Sequence, residues 1–261
     1  MGMGGVPARD RLYRQRELLH PLARPEGAPV TAQLPLGLEL RTPSRLADYV
    51  AGDDGQVLAL LAQQRSGDGE AQLYLTGPRC SGRSHLLLGQ CAAARDQGLR
   101  VVYLPAAEHS ELSPEMLEGL EAYDLLAVDD VDALAGQPAW ERALFNLYNQ
   151  ARDQGARLLF SATRPAAGAD FELADLRTRL GWGLTYHLKP LNDTQRHTLL
   201  QRLAQRRGLS LAGEVADYLL ARCPRDPCSL IALIDRLDRD SLAEQRRLSI
   251  PFVRSRIPGL R

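Results

Sequence analysis

The sequence has very little lysine and no net charge. Lys189 is the only lysine among 261 residues, and 32 basic residues balance 32 acidic ones. Because the net charge is zero, the protein is not expected to bind nucleic acid through a globally basic surface, nor to be a highly acidic chain that stays solvated. A motif that requires lysine at any position other than 189 cannot be met in full.

Cysteines and long apolar runs are scarce as well. The four cysteines, at positions 80, 91, 223 and 228, form no Cys-x-x-Cys pair and have no histidine at metal-ligand spacing. The sequence therefore predicts neither a zinc site nor a disulfide framework, and it favours a reducing compartment. No apolar run approaches the roughly 18 residues of a membrane span, and the N-terminus lacks the apolar core of a signal peptide. We expect a cytoplasmic protein.

Composition divides the chain into successive parts. Residues 1–30 are rich in glycine and proline and poor in large apolar side chains, which predicts a disordered leader. From Tyr49 onward, short apolar strands alternate with helices. This pattern predicts an α/β domain over 41–190, with a parallel sheet flanked by helices. After Pro190 the strands stop, and the pattern predicts a small all-helical domain over 191–261.

Periodicity and breakers place the individual elements. The apolar runs predict strands at 73–76, 101–104, 125–128 and 158–161. The helical patterns lie at 84–97 and 140–154 in the first domain, and at 194–207, 213–222, 229–239 and 241–247 in the second.

A phosphate-binding loop is predicted between the strand at 73–76 and the helix at 84–97. The segment fits the pattern Gly-x-x-x-x-Gly-Lys-[Ser/Thr], except that arginine stands in the place of lysine. Glycines let the backbone wrap an anion, and amides at the helix N-terminus donate hydrogen bonds to it. The predicted nucleotide-binding residues are Gly77, Pro78, Arg79, Cys80, Ser81, Gly82, Arg83, Ser84 and His85. The alternative interpretation is an ordinary glycine-containing turn.

The arginine in this loop changes the expected chemistry. Arg83 keeps the positive charge of lysine, but its side chain is bulkier and its head is planar. We therefore expect nucleotide binding to survive the change better than hydrolysis.

Polar side chains stand at the ends of the strands predicted at 125–128 and 158–161. Asp129 is predicted to hold a magnesium ion together with the Ser84 hydroxyl, and Asp130 to orient a water molecule. Ser161 and Thr163 stand at the end of the strand at 158–161, where a sensor 1 residue would lie beside the terminal phosphate. An ordinary strand end explains that last pair equally well.

The order of these motifs resembles the AAA+ ATPases and, within them, the DnaA/Hda family. The resemblance covers about residues 31–257. It is carried by the arginine-bearing loop and by the segments 125–132, 175–183, 188–191, 236–242 and 250–253. It implies an AAA+ P-loop NTPase fold with a helical lid and a bound nucleotide, ADP or ATP with magnesium.

The same resemblance implies a role for Arg179. In the family, the arginine of the Arg-Leu-x-Trp-Gly segment is offered in trans to the ATP of a neighbouring DnaA subunit, as an arginine finger. The alternative is that Arg179 pairs with an acidic side chain on a helix surface. Trp182, in the same segment, is expected to pack within the protein.

The lid departs from the family pattern. Cys228 stands where the resemblance places a sensor 2 arginine, and Arg225 is the candidate to replace it. Together with Arg83, this predicts weak or no ATP hydrolysis by the protein itself. The chain also stops directly after the lid, so we expect no helix-turn-helix domain for specific DNA binding.

A short peptide ahead of the α/β domain resembles a docking motif. Residues 33–38 resemble the hexapeptide by which replication proteins dock into an apolar pocket on the sliding clamp of DNA polymerase. The residues implied in docking, within a peptide spanning 31–40, are Gln33, Leu34, Leu36 and Leu38. An edge strand with alternating leucines is the other interpretation.

The family resemblance therefore implies a regulatory inactivator. Such a protein binds nucleotide, docks on the sliding clamp of DNA polymerase, and stimulates hydrolysis of the ATP on DnaA so that chromosome replication does not re-initiate. Self-association into a homo-oligomer is compatible with the sequence. The alternatives are a self-sufficient AAA+ ATPase such as a helicase loader, and a scaffold that works without nucleotide.

The docking peptide generates the first prediction. Replacing Gln33 and Leu34 together with alanine is expected to abolish binding to the clamp, because few residues carry most of the energy in such peptides. Nucleotide content and fold should not change. Clamp affinity measured by titration tests this, with removal of residues 1–30 as the control that should have no effect. Unaltered affinity in the double variant would exclude the peptide as the docking element.

Overall fold

The computed structural model describes residues 44–52, 55–244 and 246–257. The predicted leader and the docking peptide at 33–38 lie outside these residues. The described chain forms two compact units. The first unit contains the described residues up to Tyr49, together with Gln56–Gly77 and Arg83–Leu188. The second unit contains the described residues within Val50–Gly55, within Pro78–Gly82 and from Lys189 onward.

A five-stranded parallel sheet forms the centre of the first unit. Its strands are β1 (Gln72–Thr76), β2 (Val101–Pro105), β3 (Leu125–Asp129), β4 (Arg157–Ala162) and β5 (Leu184–His187). Their order in the sheet is β2-β3-β4-β1-β5, and every neighbouring pair is parallel. The four strands predicted from apolar runs are confirmed. The edge strand β5 was not predicted, because most of its side chains are exposed and it has no apolar run.

Helices cover the sheet, as expected for a parallel sheet that is apolar on both faces. They are α1 (Gly55–Ser66), α2 (Arg83–Asp96), α3 (Pro138–Asp153) and α4 (Ala174–Leu180). Short 3₁₀ turns lie at Leu46–Asp48, Ala106–Glu111, Pro114–Leu117, Leu120–Ala122, Val131–Leu134 and Ala166–Gly168. The two helices predicted in this domain are confirmed within two residues at each end.

The seven-residue helix α4 is too short to be stable alone, and two buried side chains hold its ends. The Glu141 carboxylate accepts hydrogen bonds from the backbone N–H groups of Glu172 and Leu173, at 3.2 and 2.7 Å, just before the helix. The Gln72 side chain donates to the carbonyl groups of Arg179 and Leu180, at 3.1 and 2.9 Å, at the other end. The position of Arg179 is therefore set by the sheet and by α3.

The second unit contains four helices around its own apolar core. They are α5 (Asp193–Arg206), α6 (Gly213–Arg222), α7 (Pro227–Glu244) and α8 (Ile250–Arg256). A capping box begins α5, in which Asn192 and Gln195 each accept from the other's backbone N–H. The core includes Leu200, Leu219 and Ile234, all fully buried.

The prediction of two helices at 229–239 and 241–247 is wrong. A single helix, α7, runs through this region and ends at Glu244. Its buried face, Leu230, Ile234, Leu237 and Ser241, keeps helical spacing across the expected break. The Ser241 hydroxyl donates to the Arg246 carbonyl at 2.5 Å, so this polar residue turns the chain after the helix instead of interrupting it.

No helix in the described part of the chain combines the length and apolar character needed to cross a membrane.

Gln72 generates the second prediction. It is almost fully buried, and its carbonyl oxygen accepts from the Tyr148 hydroxyl at 2.6 Å, in addition to the two bonds that its amide donates. Gln72→Leu removes these three buried hydrogen bonds, which is expected to lower the free energy of unfolding by about 2 to 4 kcal/mol. Urea denaturation measures this value.

The control for this variant is Gln150→Leu, on the exposed face of α3. Exposed substitutions usually change stability by less than about 0.5 kcal/mol. Equal stability of the two variants would show that Gln72 does not hold the end of α4.

Candidate functional site

The predicted phosphate loop connects β1 to α2, which is the strand–loop–helix arrangement that the motif requires. Gly82 has φ of +95°, a left-handed conformation that favours glycine. Cys80, in the middle of the loop, is also left-handed with φ of +66°, which is uncommon for a residue with a side chain. The first turn of α2 directly follows Gly82, so its backbone N–H groups lie at the end of the loop.

Arg83 is turned into the protein. It is only 7% exposed, and its guanidinium donates to the carbonyl groups of Gly77 and Ala162, the latter at 2.7 Å. It also forms an ion pair with the Asp130 carboxylate at 2.7 Å. The guanidinium therefore joins the start of the loop, the end of β4 and the second acid after β3.

Asp130 was predicted to orient a water molecule, and one of its oxygens is engaged by Arg83 instead. Burial and the neighbouring charge of Asp129 raise the pKa of Asp130, whereas the Arg83 guanidinium opposes that shift. The backbone of Asp130 is left-handed, with φ of +51°. This conformation places the two adjacent acids in different surroundings.

Asp129, the predicted magnesium ligand, is 2% exposed and lies in a network of hydroxyl groups. One of its oxygens accepts from the Tyr103 hydroxyl at 2.8 Å, and the other accepts from the Ser161 hydroxyl. Burial and the charge of Asp129 raise the pKa of Tyr103 well above its usual value, so this hydroxyl remains a donor. Each carboxylate oxygen has a second lone pair available for a further ligand.

The two sensor 1 candidates lie next to acids of the protein itself. Ser161 is fully buried, donates to Asp129 and accepts from the backbone N–H of Asp130 at 2.9 Å. The backbone N–H of Thr163 donates to Asp132 at 2.9 Å, and its hydroxyl donates to the same oxygen. The sequence placed Ser161 and Thr163 at the correct strand end, but it did not reveal Tyr103 as the second donor to Asp129.

The remaining residues predicted to bind nucleotide differ in exposure and in hydrogen bonding. The Ser81 hydroxyl is buried, and no described residue lies within hydrogen-bonding distance of it. Such an unsatisfied group is costly unless a ligand or water completes it. Pro78 and Arg79 are exposed, and Ser84 is half-buried.

His85, the last of the residues predicted to bind nucleotide, contacts the chain before α1. Its ring stacks on Tyr49 and lies 3.0 Å from the Arg45 carbonyl oxygen, so this part of the chain positions it.

Cys80 and Cys228 form a disulfide bond, which corrects the expectation that the chain would have none. The two cysteines are 148 residues apart, with Cα atoms 5.5 Å from each other. Spacing along the chain cannot reveal such a pair, because the fold alone brings the two together. Both cysteines lie in the second unit, which includes Pro78–Gly82 of the loop.

Cys80 and Cys228 also belong to a possible metal-ligand group. Their sulfur atoms and a carboxylate oxygen of Asp226 lie within 4.8 Å of one another. The two sulfur atoms are bonded to each other, and the Asp226 carboxylate accepts from the backbone N–H of Ser229 at 2.9 Å. The bonded form therefore offers a metal ion too few ligands.

Arg225, the candidate for sensor 2, is engaged within the second unit. Its guanidinium donates to the Leu220 carbonyl at 3.0 Å and lies 3.5 Å from the Asp193 carboxylate. These contacts tie α6 to the start of α5.

Arg179 lies against aromatic rings. Its guanidinium carbon is 5.1 Å from the centre of the Phe145 ring, 5.0 Å from that of Trp182 and 6.0 Å from that of Tyr148. Cation–π contacts of this kind orient an arginine without neutralising its charge. Within the described ranges, no carboxylate forms an ion pair with Arg179.

Trp182 does not pack as expected. Its side chain is 58% exposed, and the guanidinium of Arg152 lies 5.6 Å from its ring centre, on the same surface as Arg179.

The next residue, Gly183, must be a glycine because its backbone passes close to Gln72. A Cβ atom on Gly183 would lie 2.4 Å from the backbone oxygen of Gln72, where β5 begins to pair with β1.

Two protein families match the chain. Residues 45–187, more than half of the chain, match the family described as the bacterial DnaA ATPase domain. Residues 193–257 match the family described as the lid domain of Hda.

Solved structures show the same architecture. Domain III of the replication initiation protein DnaA from Thermotoga maritima is 19% identical, with a TM-score of 0.69, and the match covers 83% of this chain and 98% of that chain. DnaA from Aquifex aeolicus bound to AMPPCP is 21% identical, with a TM-score of 0.63 and coverage of 77% and 69%. The Thermotoga maritima RuvB Holliday junction branch migration motor is 19% identical, with a TM-score of 0.58 and coverage of 82% and 70%. At these identities the likeness establishes the AAA+ fold and not an activity.

The buried guanidinium generates the third prediction. Arg83→Ala removes its bonds to Gly77, Ala162 and Asp130, which is expected to lower the free energy of unfolding by about 2 to 4 kcal/mol. Arg79→Ala, at an exposed position of the same loop, should change it by less than about 0.5 kcal/mol. Urea denaturation of both variants makes the comparison, and equal stabilities would contradict the buried role of Arg83.

Proposed function

We propose, since this chain belongs to the family of the bacterial DnaA ATPase domain and carries an Hda lid domain, that it stimulates the hydrolysis of ATP bound to DnaA. In this role it is a regulatory inactivator that prevents re-initiation of chromosome replication. The observation that carries the proposal is the Arg179 guanidinium, which is positioned on aromatic rings and has no carboxylate partner among the described residues.

The setting of Arg179 suits an arginine finger. Its backbone is anchored by Gln72, and its head is oriented by Phe145 and Trp182. An arginine finger stabilises the charge that develops on transferring phosphoryl oxygens, and a guanidinium already paired with a carboxylate would contribute less. The exposed side chain of Trp182 offers a neighbouring subunit an apolar surface beside this charge.

The protein's own site supports nucleotide binding more than turnover. The loop, the N-terminus of α2 and the Ser81 hydroxyl fit the phosphates of a nucleotide, which we take to be ADP or ATP. Ser84 and Asp129 would hold magnesium, which when bound neutralises phosphate charge. The Arg83 side chain, however, is committed to acceptors of the protein, and Asp130 is paired with it.

These contacts disfavour the alternative of a self-sufficient AAA+ ATPase such as a helicase loader. Such an enzyme needs a cation directed at the terminal phosphate and a carboxylate that orients the attacking water. Here the two groups that would perform these tasks, Arg83 and Asp130, bind each other. We therefore assign the bound nucleotide a structural role and place the hydrolysis on the partner.

Docking to the sliding clamp completes the proposal. The support for it is the pattern of Gln33, Leu34, Leu36 and Leu38, which resembles a clamp-binding hexapeptide. Docking would tether the protein, alone or as a homo-oligomer, to DNA that has just been replicated in the cytoplasm. The charge of Arg179 would then act only after replication has begun.

The fourth prediction tests the role of Arg179. Arg179→Ala is expected to leave fold, nucleotide content and clamp binding unchanged, while the stimulated hydrolysis on DnaA falls by about 10³- to 10⁵-fold, the range measured for arginine fingers. Arg179→Lys should also be severely impaired, because an ammonium lacks the planar fork that meets two phosphate oxygens. The measurement is the ratio of ATP to ADP on DnaA in the presence of clamp loaded on DNA.

Arg177 provides the matched control. It lies two residues away on the same helix and is exposed, but it has no aromatic stack among the described residues. Arg177→Ala should retain most of the stimulation. Conversion at the parental rate by Arg179→Ala, or equal losses in the two variants, would refute the in-trans mechanism.

A further inference from the structure

The disulfide bond joins the predicted phosphate loop to the first turn of α7. Cys80 is in the middle of the phosphate loop, and Cys228 is the second residue of α7. Their Cα separation of 5.5 Å is within the range of about 4.4 to 6.8 Å over which disulfides form without backbone movement. The fold therefore permits the bond without rearrangement.

The other two cysteines have different surroundings. Cys91 is fully buried in α2, and this burial raises the pKa of its thiol to about 12. Burial also raises the pKa of Cys223, which is half-buried. Because the thiolate is the reactive form, neither residue is suited to exchange. Cys228 is exposed and Cys80 is half-buried, so a small thiol in solution can reach their bond.

In the bonded form the loop makes contacts within itself. The backbone N–H of Ser81, which follows Cys80, donates to the Pro78 carbonyl at 3.2 Å. Cys80 has the left-handed backbone noted above, and the disulfide anchors it to the first turn of α7. A loop that wraps a phosphate must direct its N–H groups at the anion. With Cys80 anchored and the Ser81 N–H used within the loop, we expect this N–H to be withheld from a phosphate, so that the oxidised loop offers the anion one donor fewer.

We propose that Cys80 and Cys228 are a reversible thiol–disulfide site that controls nucleotide binding by the phosphate loop. This inference rests on the proposed nucleotide-binding function. Oxidation is a thiol–disulfide exchange with a low-molecular-weight disulfide, RSSR. The two protein thiols form one S–S bond, the S–S bond of RSSR breaks, and both protons and both electrons pass to two molecules of RSH. Reduction by a dithiol reverses the step and releases the loop.

The test compares the full chain in oxidised glutathione with the full chain in dithiothreitol, with magnesium as the only divalent ion. Peptide mapping by mass spectrometry should find the peptides containing Cys80 and Cys228 linked in the first buffer and separate in the second. ADP affinity is then measured by calorimetry in both. Oxidation is expected to weaken ADP binding at least about tenfold, because the competent conformation becomes a minor population.

Variants separate the bond from general effects of the buffer. Cys80→Ser and Cys228→Ser should each bind ADP equally in the two buffers, whatever the affinity of the variant. Cys223→Ser should respond to oxidation as the parent does. A response that persists in Cys228→Ser, or one that disappears in Cys223→Ser, would overturn the assignment.

The two proposals fail in different ways. If the reduced protein binds ADP and the linked protein binds it equally well or more tightly, the redox inference is wrong and the nucleotide site stands. If no linked peptides form in oxidised glutathione, the redox inference is also wrong. If the reduced protein with magnesium does not bind ADP, the proposed nucleotide function fails, and the control of binding fails with it.

Discussion

The buried guanidinium of Arg83 is the interaction on which the candidate site depends. A charge that is withdrawn from water must be paired and hydrogen-bonded, and Arg83 meets this requirement with two backbone carbonyl groups and Asp130. Its planar fork can reach several acceptors at once, which the point charge of a lysine does less well. The substitution of arginine for lysine therefore converts a phosphate ligand into a structural bridge.

In the proposed function, this bridge affects hydrolysis more than it affects nucleotide binding. Binding of phosphates rests on backbone N–H groups and on the N-terminus of α2, and these do not depend on the side chain at position 83. Hydrolysis needs a cation and a carboxylate that are available to the reacting groups. Here Arg83 and Asp130 bind each other, and the hydroxyl groups of Tyr103 and Ser161 donate to Asp129 and hold its carboxylate in place. This is the arrangement that the proposed role, nucleotide binding without turnover, requires.

Local patterns in the sequence predicted what local physics determines. The strands and the helix after the loop follow from apolar runs and glycine spacing, and the match of 45–187 to the DnaA ATPase domain agrees with them. Three features depend on distant contacts and could not be predicted: the pairing of Cys80 with Cys228, the capping of α4 by Gln72, and the exposure of Trp182. The edge strand β5 was missed for a different reason: its side chains are mostly exposed, and it pairs with β1 without an apolar run of its own.

Arg83 and Arg179 show how surroundings assign opposite roles to the same side chain. Arg83 is surrounded by oxygen atoms, so its charge is neutralised and contributes to stability. Arg179 is surrounded by aromatic rings, which fix its direction and leave its charge available to an anion. Gln72, which caps α4, holds the backbone of this second arginine, and Gly183 allows the close approach of the chain to Gln72 where β5 begins. Arg83 and Asp130 bind each other, whereas Arg179 keeps its charge available on a supported helix, and these are the features that the proposed action on a neighbour's nucleotide requires.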